Sequence, residues 1–230
     1  MTQGRPSRSG DGGRNRKAIG AVQRRVPAMG RRERRAAETR MRLFRCALHL
    51  FAERGFSNVT VEDITEAADV GKGTFFNYFE TKNHVLGVMA DLQLSRVREA
   101  AASASRGGES IQAVLHRLLL RLAEEPGRSP SLARALISSF MASKQVRTLM
   151  EARMREGRRI AAAIIAEGQA RGEIDARLKK DKVAIQFLQM FLGTMLLWSL
   201  HEKPALTVWA EDSFQHFWRA LTKSRREQEI

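Results

Sequence analysis

The stretch VGKGTFFNYFETK, residues 70–82, holds the side chains whose types and spacing most directly suggest chemistry. Its GKGT segment looks like a phosphate-binding loop, and the phosphate could belong to a nucleotide or to the backbone of DNA. A nucleotide-binding P-loop needs Ser or Thr directly after the lysine, but Gly73 follows Lys72. Its first glycine would fall five residues before Gly71, where Glu66 would repel a triphosphate. The upstream residues also have helical rather than strand spacing, so the sequence argues against an NTPase.

The same stretch is well suited to hold a DNA phosphate. Lys72 stands at the start of a predicted short helix, where its ammonium adds to free backbone N–H groups and to the positive end of the helix dipole. Gly73 permits close backbone approach, and Thr74 can donate to a phosphate or touch a thymine methyl. Asn77 and Tyr78 carry hydrogen-bonding groups one turn further on. For any one of these residues a solvated helix surface is the simpler interpretation, but their convergence around one turn favours a nucleic-acid surface.

The elements that must position these side chains are helices. Apolar residues recur at intervals of three and four between residues 32 and 54, which predicts a first helix ended by Gly55. Thr60, with Asp63 three residues later, is expected to cap a second helix over 61–68. No segment of the chain requires a strand.

A tight turn at Asp69–Gly71 joins the second helix to a third one over 72–78. Phe75 and Phe79 lie four residues apart and are expected to form the buried face that seats this third helix. Two short helices joined by a tight turn form a helix-turn-helix, whose second helix enters the major groove of DNA.

A long fourth helix is predicted to follow, with Thr81 as its cap and helically spaced apolar residues from Val85 onward. Lys82 repeats, at the start of this helix, the arrangement of charge and helix dipole found at Lys72. A second phosphate contact is therefore expected there.

The stretch TVEDITEAADVGKGTFFNYFETKNHVL resembles the DNA-binding signature of the TetR family of bacterial transcriptional regulators. The resemblance covers residues 40–86 and rests on the threonine before the second helix, the alanine pair, K-G-T, the aromatic cluster ending in Y-F, and the lysine three residues later. It implies an all-α fold, with an N-terminal three-helix helix-turn-helix DNA-binding domain over 32–80 and an α-helical ligand-binding and dimerisation domain over 81–225. It also implies that these positions meet DNA: Thr60, Lys72, Gly73, Phe76, Asn77, Tyr78 and Lys82.

The sequence departs from the family pattern at three positions. Gly71 stands where serine is usual, which removes a side-chain cap from the third helix. Phe76 stands where tyrosine is common and can offer only apolar contact, for instance with a thymine methyl. Asn83 replaces a frequent glutamate, so the fourth helix has one less favourable charge in its first turn. The motif survives these changes, but the operator sequence cannot be predicted from relatives.

Charge is unevenly distributed along the 230 residues, whose formal net charge is +15. Residues 1–35 contain 11 lysines and arginines against Asp11 and Glu33, a net +9. Because residues 1–31 are rich in Gly, Ser and Pro and have little to bury, they are expected to form a disordered basic arm attracted to nucleic acid. An equally good interpretation is an unselected extension, with the native chain starting at Met29.

The sequence points to a cytoplasmic, nucleoid-associated protein without a membrane segment or cofactor. Its basic N-terminus lacks the apolar stretch of a secretory signal. The longest nearly unbroken apolar run, Met190–Leu200, is far shorter than the roughly 20 residues that span a bilayer. Cys46 is the only cysteine, which excludes an internal disulfide or a cysteine-rich zinc site and suggests a packing role.

Five further helices are predicted, over residues 110–124, 131–141, 145–171, 181–200 and 207–222. The helix over 181–200 is apolar on nearly every side, so one face is expected to pack on its own domain and another on a second subunit. In the family, the last two helices form a four-helix dimer interface. The residues expected at a homodimer interface are Leu192, Leu196, Phe214, Phe217 and Trp218, with a monomeric hydrophobic core as the alternative.

Resemblance to the family also implies a small-molecule effector bound in the C-terminal domain. The candidate pocket residues, for each of which plain core packing is the simpler interpretation, are His116, Phe140, Met141, Phe187, Met190, Met195 and Trp198. The apolar stretches that hold them contain no acidic residue, which favours a neutral, hydrophobic effector over a cationic one.

Together these features predict a ligand-responsive transcriptional regulator, with repression as the usual family outcome, that binds a palindromic double-stranded DNA operator as a homodimer. An enzyme is disfavoured because the five histidines lack metal-ligand spacing and neither a His-Glu-x-x-His nor a G-x-S-x-G motif occurs. An architectural DNA-binding protein that uses the basic arm and has no effector remains the alternative.

Overall fold

The computed structural model describes residues 30–201 and 203–222, and within them the chain is helical with no strand. The predicted arm over 1–31 lies, except for its last two residues, outside this described part. A short 3-10 helix, Pro126–Arg128, lies between the fifth and sixth helices. The α-helices are α1 Arg31–Arg54, α2 Val61–Ala67, α3 Lys72–Phe76, α4 Lys82–Arg106, α5 Ile111–Glu124, α6 Pro130–Ala142, α7 Lys144–Ala170, α8 Lys180–Ser199 and α9 Leu206–Leu221.

The all-α prediction is confirmed, and the helix ends differ from the predicted ones by at most two residues. Gly55 ends α1 with a φ of 78°, a value that glycine adopts without steric cost. Asp69 ends α2 with a φ of 50°, which a short polar side chain tolerates. The third helix is shorter than predicted because Tyr78 N–H bonds the Phe75 carbonyl, three residues back, and tightens the last turn. Thr81 occupies the N-cap position of α4, but its side chain makes no capping hydrogen bond, which corrects that prediction.

One hydrophobic core joins α1, α2 and α3 to the beginning of α4. Leu43, Phe44 and Phe51 of α1 are at most 1% exposed, and Ile64 of α2 is fully buried beside them. The same cluster continues into α6 and α7 through residues that include Leu136 and Met150. The DNA-binding helices therefore share a core with the helices that follow, and the domain boundary at residue 80 stays a prediction.

A second core fills the C-terminal half of the described chain. It consists of the later part of α4 together with α5, α7, α8 and α9, and it includes Ile111, Phe187, Trp198 and Phe214. The long helices α4 and α7 run side by side in the same direction, since Asp91 pairs with Arg153 and Arg98 with Glu156. They approach closely at Gly87, where an added Cβ atom would lie 3.1 Å from Leu149 Cδ2. Any movement of α4 must therefore be accommodated by α7.

The described helices include none that is long and apolar enough to cross a membrane. Cys46 is half-buried, and its Sγ lies 3.4 Å from the Ala67 carbonyl oxygen, so the thiol packs between α1 and α2. This placement agrees with the predicted packing role.

Gly71→Ser is expected to stabilise the fold modestly. Gly71 has φ −69° and ψ 151°, an N-cap conformation open to any residue, and no atom lies within 4 Å of an added Cβ. A serine hydroxyl can accept the orphaned N–H of the first turn of α3, which Gly71 leaves without a side-chain partner. Urea denaturation should show a gain of a few tenths of a kcal/mol in the free energy of unfolding. A loss of stability would contradict the predicted cap.

Candidate nucleic-acid interface and apolar cavity

The N-terminus of α2 is fixed by a reciprocal cap at Thr60. Thr60 Oγ1 accepts the Asp63 N–H at 3.1 Å, and the Thr60 backbone N–H donates to Asp63 Oδ2 at 2.7 Å. These hydrogen bonds hold the pKa of Asp63 below its ordinary value, with a smaller contribution from Arg54, whose Nη1 lies 3.2 Å from Asp63 Oδ1. Because the Thr60 hydroxyl also donates to Asp63 Oδ2 at 2.6 Å, its first role in this structure is to begin α2.

Helix α3 is seated by two phenylalanines and presents its opposite side to solvent. Phe75 is fully buried and Phe79 is 2% exposed, with ring centroids 5.3 Å apart. These two residues were expected to seat the helix, and they do. Of the residues predicted to face DNA, Lys72, Gly73, Phe76 and Asn77 are exposed, Thr74 is half-buried, and Tyr78 is half-buried against the N-terminal core. The structure thus places six of the eight predicted DNA-binding residues within residues 72–78, and four of these six are exposed.

Lys72 forms an ion pair with Glu62 of α2. The hydrogen bond from the ammonium group lowers the pKa of Glu62 from its ordinary value. Both side chains are more than half exposed, so the pair is screened by water and contributes little to stability. An incoming phosphate can therefore take the place of the carboxylate.

Lys82 has a different environment from Lys72. Its Nζ donates to the carbonyl oxygens of Phe56 at 2.8 Å and Val59 at 2.7 Å, and it lies 4.6 Å from the centroid of the Phe56 ring. Partial burial lowers the pKa of Lys82, and the charge of Asp63 opposes this shift. In this structure Lys82 ties α4 to the loop between α1 and α2, and a contact of its ammonium with DNA stays a prediction.

The N-terminal part of α1 adds a basic surface that the sequence motifs do not indicate. Seven exposed arginines lie between residues 31 and 45, against only Glu33 and Glu38. The Arg40 guanidinium carbon lies 5.7 Å from the centroid of the Phe79 ring, which places this surface beside the end of α3. Such a concentration of positive charge attracts a polyanion over about one Debye length.

An apolar cavity of about 150 Å³ lies between α4, α5, α6, α7 and α8. Three of the predicted pocket residues line it, namely Phe140, Phe187 and Met195. Leu192, which was predicted for the dimer interface, lines it as well. The polar side chains in the lining are Gln93, Arg153 and Arg158, and no carboxylate lines the cavity.

The other four predicted pocket residues lie away from this cavity. His116 pairs with Glu211 of α9 through its Nε2, and Met141 is 76% exposed. Trp198 is buried and donates its Nε1–H to the Pro204 carbonyl at 2.8 Å, and Met190 is half-buried against the C-terminal core. Sequence reasoning missed most of the lining of α4 and α7, including Met89, Gln93, Met150, Met154 and Arg158. Apolar spacing marks these residues as buried, but it cannot tell a cavity wall from a packed core.

The apolar surface of α8 and α9 is distributed differently from the prediction. Phe214 and Trp218 are 1% and 8% exposed, so they lie in the chain's own core, and Phe217 is half-buried against it. Leu196 is 45% exposed, as an interface residue would be in an isolated chain. The neighbouring exposed apolar residues are Leu197, Leu200 and Val208. We call these three residues and Leu196 the α8–α9 apolar patch.

In the described part of the chain, no group of three or more His, Cys, Asp or Glu side chains is arranged to hold a metal ion.

The chain is similar in sequence to known bacterial regulatory proteins. Residues 43–89 match the family model for bacterial regulatory proteins of the tetR family. The HTH-type transcriptional regulator TcmR of Streptomyces glaucescens is 31% identical over 125 residues, which cover 45% of this chain and 54% of that protein. The chain thus spans about half the length of that relative.

Solved structures extend the likeness to most of the chain. Regulatory protein TetR from Rhodobacter sphaeroides superposes with a TM-score of 0.63 at 25% identity, covering 80% of this chain and 99% of that one. Thermus thermophilus FadR, a TetR-family transcriptional repressor solved in complex with lauroyl-CoA, superposes with a TM-score of 0.58 at 25% identity, covering 81% and 96%. The likeness therefore includes the helices around the cavity as well as the helix-turn-helix.

Proposed function

The chain belongs to the TetR family of bacterial transcriptional regulators, and we propose that it binds a near-palindromic operator as a homodimer and is released by a small apolar effector. Repression of transcription is the outcome proposed for operator binding, as in the Thermus relative, which is a repressor. The effector would occupy the cavity between α4 and α8.

The observation that carries this proposal is the two-sided character of α3. Phe75 and Phe79 hold the helix against the body of the protein, while Lys72, Phe76 and Asn77 remain exposed on it. A short helix with a cation at its start and an amide one turn later can place the cation on a phosphate and the amide on a base edge. The exposed arginines of α1 supply the sequence-independent attraction.

Some residues belong both to the cavity lining and to the N-terminal core, which supports a coupling between effector binding and DNA binding. Met89 and Ala90 of α4, with Leu136 and Met150, line the cavity and also belong to the core beneath α1–α3. A ligand that moves these residues must also move the support of the recognition helix. Release of DNA then requires that the ligand bind the released arrangement better than the DNA-competent one.

The lining of the cavity restricts the class of effector. Nearly all of the lining side chains are apolar, and its two charged residues, Arg153 and Arg158, are both cationic. The Arg153 Nε–H donates to Asp91 at 2.7 Å, while Arg158 adds a second positive charge. A cationic effector is therefore disfavoured, and a neutral or anionic apolar compound is proposed.

The α8–α9 apolar patch supports a homodimer as the binding unit. Its four residues are between 45% and 66% exposed in the single chain. The patch continues along α8 at Gly193, where no atom lies within 4 Å of an added Cβ, so a second helix can approach closely. Two recognition helices held one helical turn of DNA apart, or a multiple of it, would read the two halves of an inverted repeat.

Substitutions at Lys72, Asn77 and Lys82 test the proposed assignment of roles. Lys72→Ala should weaken binding to all duplexes. It should also make the salt dependence less steep, reducing the magnitude of the slope of log K against log salt by about one for each chain bound. Asn77→Ala should instead relax the preference for one base pair, worth about 1–3 kcal/mol of discrimination. Lys82→Ala should weaken binding broadly and also lower thermal stability, because the Phe56 and Val59 carbonyls lose their donor.

Electrophoretic mobility shift across a panel of duplexes and salt concentrations would measure these effects. Lys180→Ala is the matched control, because Lys180 is also an exposed lysine at the first position of a helix but lies in α8. Binding by all three variants that is indistinguishable from that of the unsubstituted chain would refute the assignment of the interface.

A further inference from the structure

The side-chain amide of Gln93 in α4 has a fixed orientation. Its Nε2 donates to the Leu122 carbonyl oxygen at 3.1 Å. In a regular helix this carbonyl would accept from the residue four positions later, but that residue is Pro126, which has no N–H. Gln93 therefore supplies the donor that the end of α5 lacks. Because only the nitrogen of the amide can donate to a carbonyl, Oε1 must be the atom turned away from Leu122.

The other end of the same amide lacks a partner. Gln93 Oε1 is buried from solvent and has no hydrogen-bond partner in the described chain. A buried carbonyl oxygen without a donor is rare in proteins and raises the question of what satisfies it. The side chain of Gln93 is among those that line the apolar cavity, so a molecule in the cavity can supply the missing donor once a small side-chain movement exposes Oε1.

The cavity sets the size and character of such a molecule. Its volume of about 150 Å³ matches that of an apolar protein cavity that accepts one benzene ring. Phe140, Phe187 and Phe191 line it together with four methionines. Methionine sulfur makes favourable contacts with aromatic rings, and the flexible methionine side chain can change rotamer to fit a ligand.

We propose that the cavity selects a compact apolar, ring-containing effector that bears a hydroxyl or N–H group, and that Gln93 Oε1 accepts the hydrogen bond from that group. This inference rests on the proposed function, since it assigns the chemical class of the effector to the same cavity. Gln93 is then a specificity-determining residue, and the apolar walls supply most of the affinity.

Two probes that differ in one hydrogen-bond donor test the inference. The probes are 4-ethylphenol and its methyl ether, 4-ethylanisole, which has the same ring and ethyl group but cannot donate. Isothermal titration calorimetry on the full chain should give a dissociation constant about tenfold lower for the phenol. In Gln93→Met, which keeps the length of the side chain and removes the acceptor, this ratio should fall to about one. In the control Leu94→Met, at an apolar position of the same lining, the ratio should be unchanged.

The outcomes separate this inference from the proposed function. Because the ratio compares two ligands within one variant, a general loss of stability in Gln93→Met does not alter its meaning. Equal binding of phenol and ether by the unsubstituted chain, or a preference that persists in Gln93→Met, overturns the role of Gln93 and leaves the cavity as an effector site. Failure of both probes to bind overturns the cavity as the effector site and this inference with it.

Discussion

Phe75→Ala is expected to lower the free energy of unfolding by about 3–5 kcal/mol, the usual cost of removing a fully buried phenylalanine. Phe75 is 0% exposed and its ring contacts those of Phe76 and Phe79. Its loss leaves a cavity directly beneath α3, a helix of only five residues that cannot hold its conformation without that support. Urea denaturation followed by circular dichroism would measure the change, and operator binding should be lost with it.

The neighbouring residue provides the matched control. Phe76→Ala removes the same side chain one position along, but Phe76 is 49% exposed. Its effect on stability should be well under half that of Phe75→Ala, while its effect on operator affinity should be clear, because the exposed ring is proposed to contact DNA. If the two substitutions destabilised the chain equally, the inward and outward sides of α3 would be wrongly assigned.

Leu196→Glu combined with Leu200→Glu is expected to produce a monomer with at least a hundredfold weaker operator binding. Leu196 and Leu200 are 45% and 66% exposed, so glutamates at these positions remain solvated in a single chain and should leave its fold intact. At an interface between two copies the same carboxylates would be desolvated and face their symmetry equivalents. Each half-site would then be bound separately, without the gain in affinity that comes from joining two binding heads.

Sedimentation velocity would measure the oligomeric state of this double variant, and fluorescence anisotropy its operator affinity. Met141→Glu is the control, because it places the same charge at an apolar residue of α6 that is 76% exposed. It should change neither measurement. A double variant that stays dimeric would place the subunit interface elsewhere on the chain.

Helices and their buried faces could be predicted from the sequence because they depend on local spacing. The positions of Phe75 and Phe79 follow from a separation of four residues, and the end of α1 follows from Gly55, which adopts a positive φ. The exposed residues of α3 can be predicted from this buried face, since residues on the opposite side of the helix must contact solvent. The TetR family assignment rested on the same short segment and is confirmed.

The cavity and the exposed face of α8 could not be predicted in this way, because both depend on how helices meet. The spacing in α8 and α9 shows that Phe214, Trp218 and Leu196 are apolar, but only the packing reveals that the two aromatic residues are buried and the leucine is not. His116 was predicted in the pocket for its position among apolar residues, yet it turns towards Glu211 of α9. Gln93 carries no local signal, because its role arises from Pro126 on a neighbouring element.

The most direct test of the account is the affinity of the pure chain for duplex DNA selected from a random library. At physiological salt we expect one inverted repeat to bind at least about a thousandfold more tightly than a scrambled duplex of equal length, with two chains on each duplex. Similar affinity for every duplex, with a steep dependence on salt, would contradict the account and indicate an architectural DNA-binding protein.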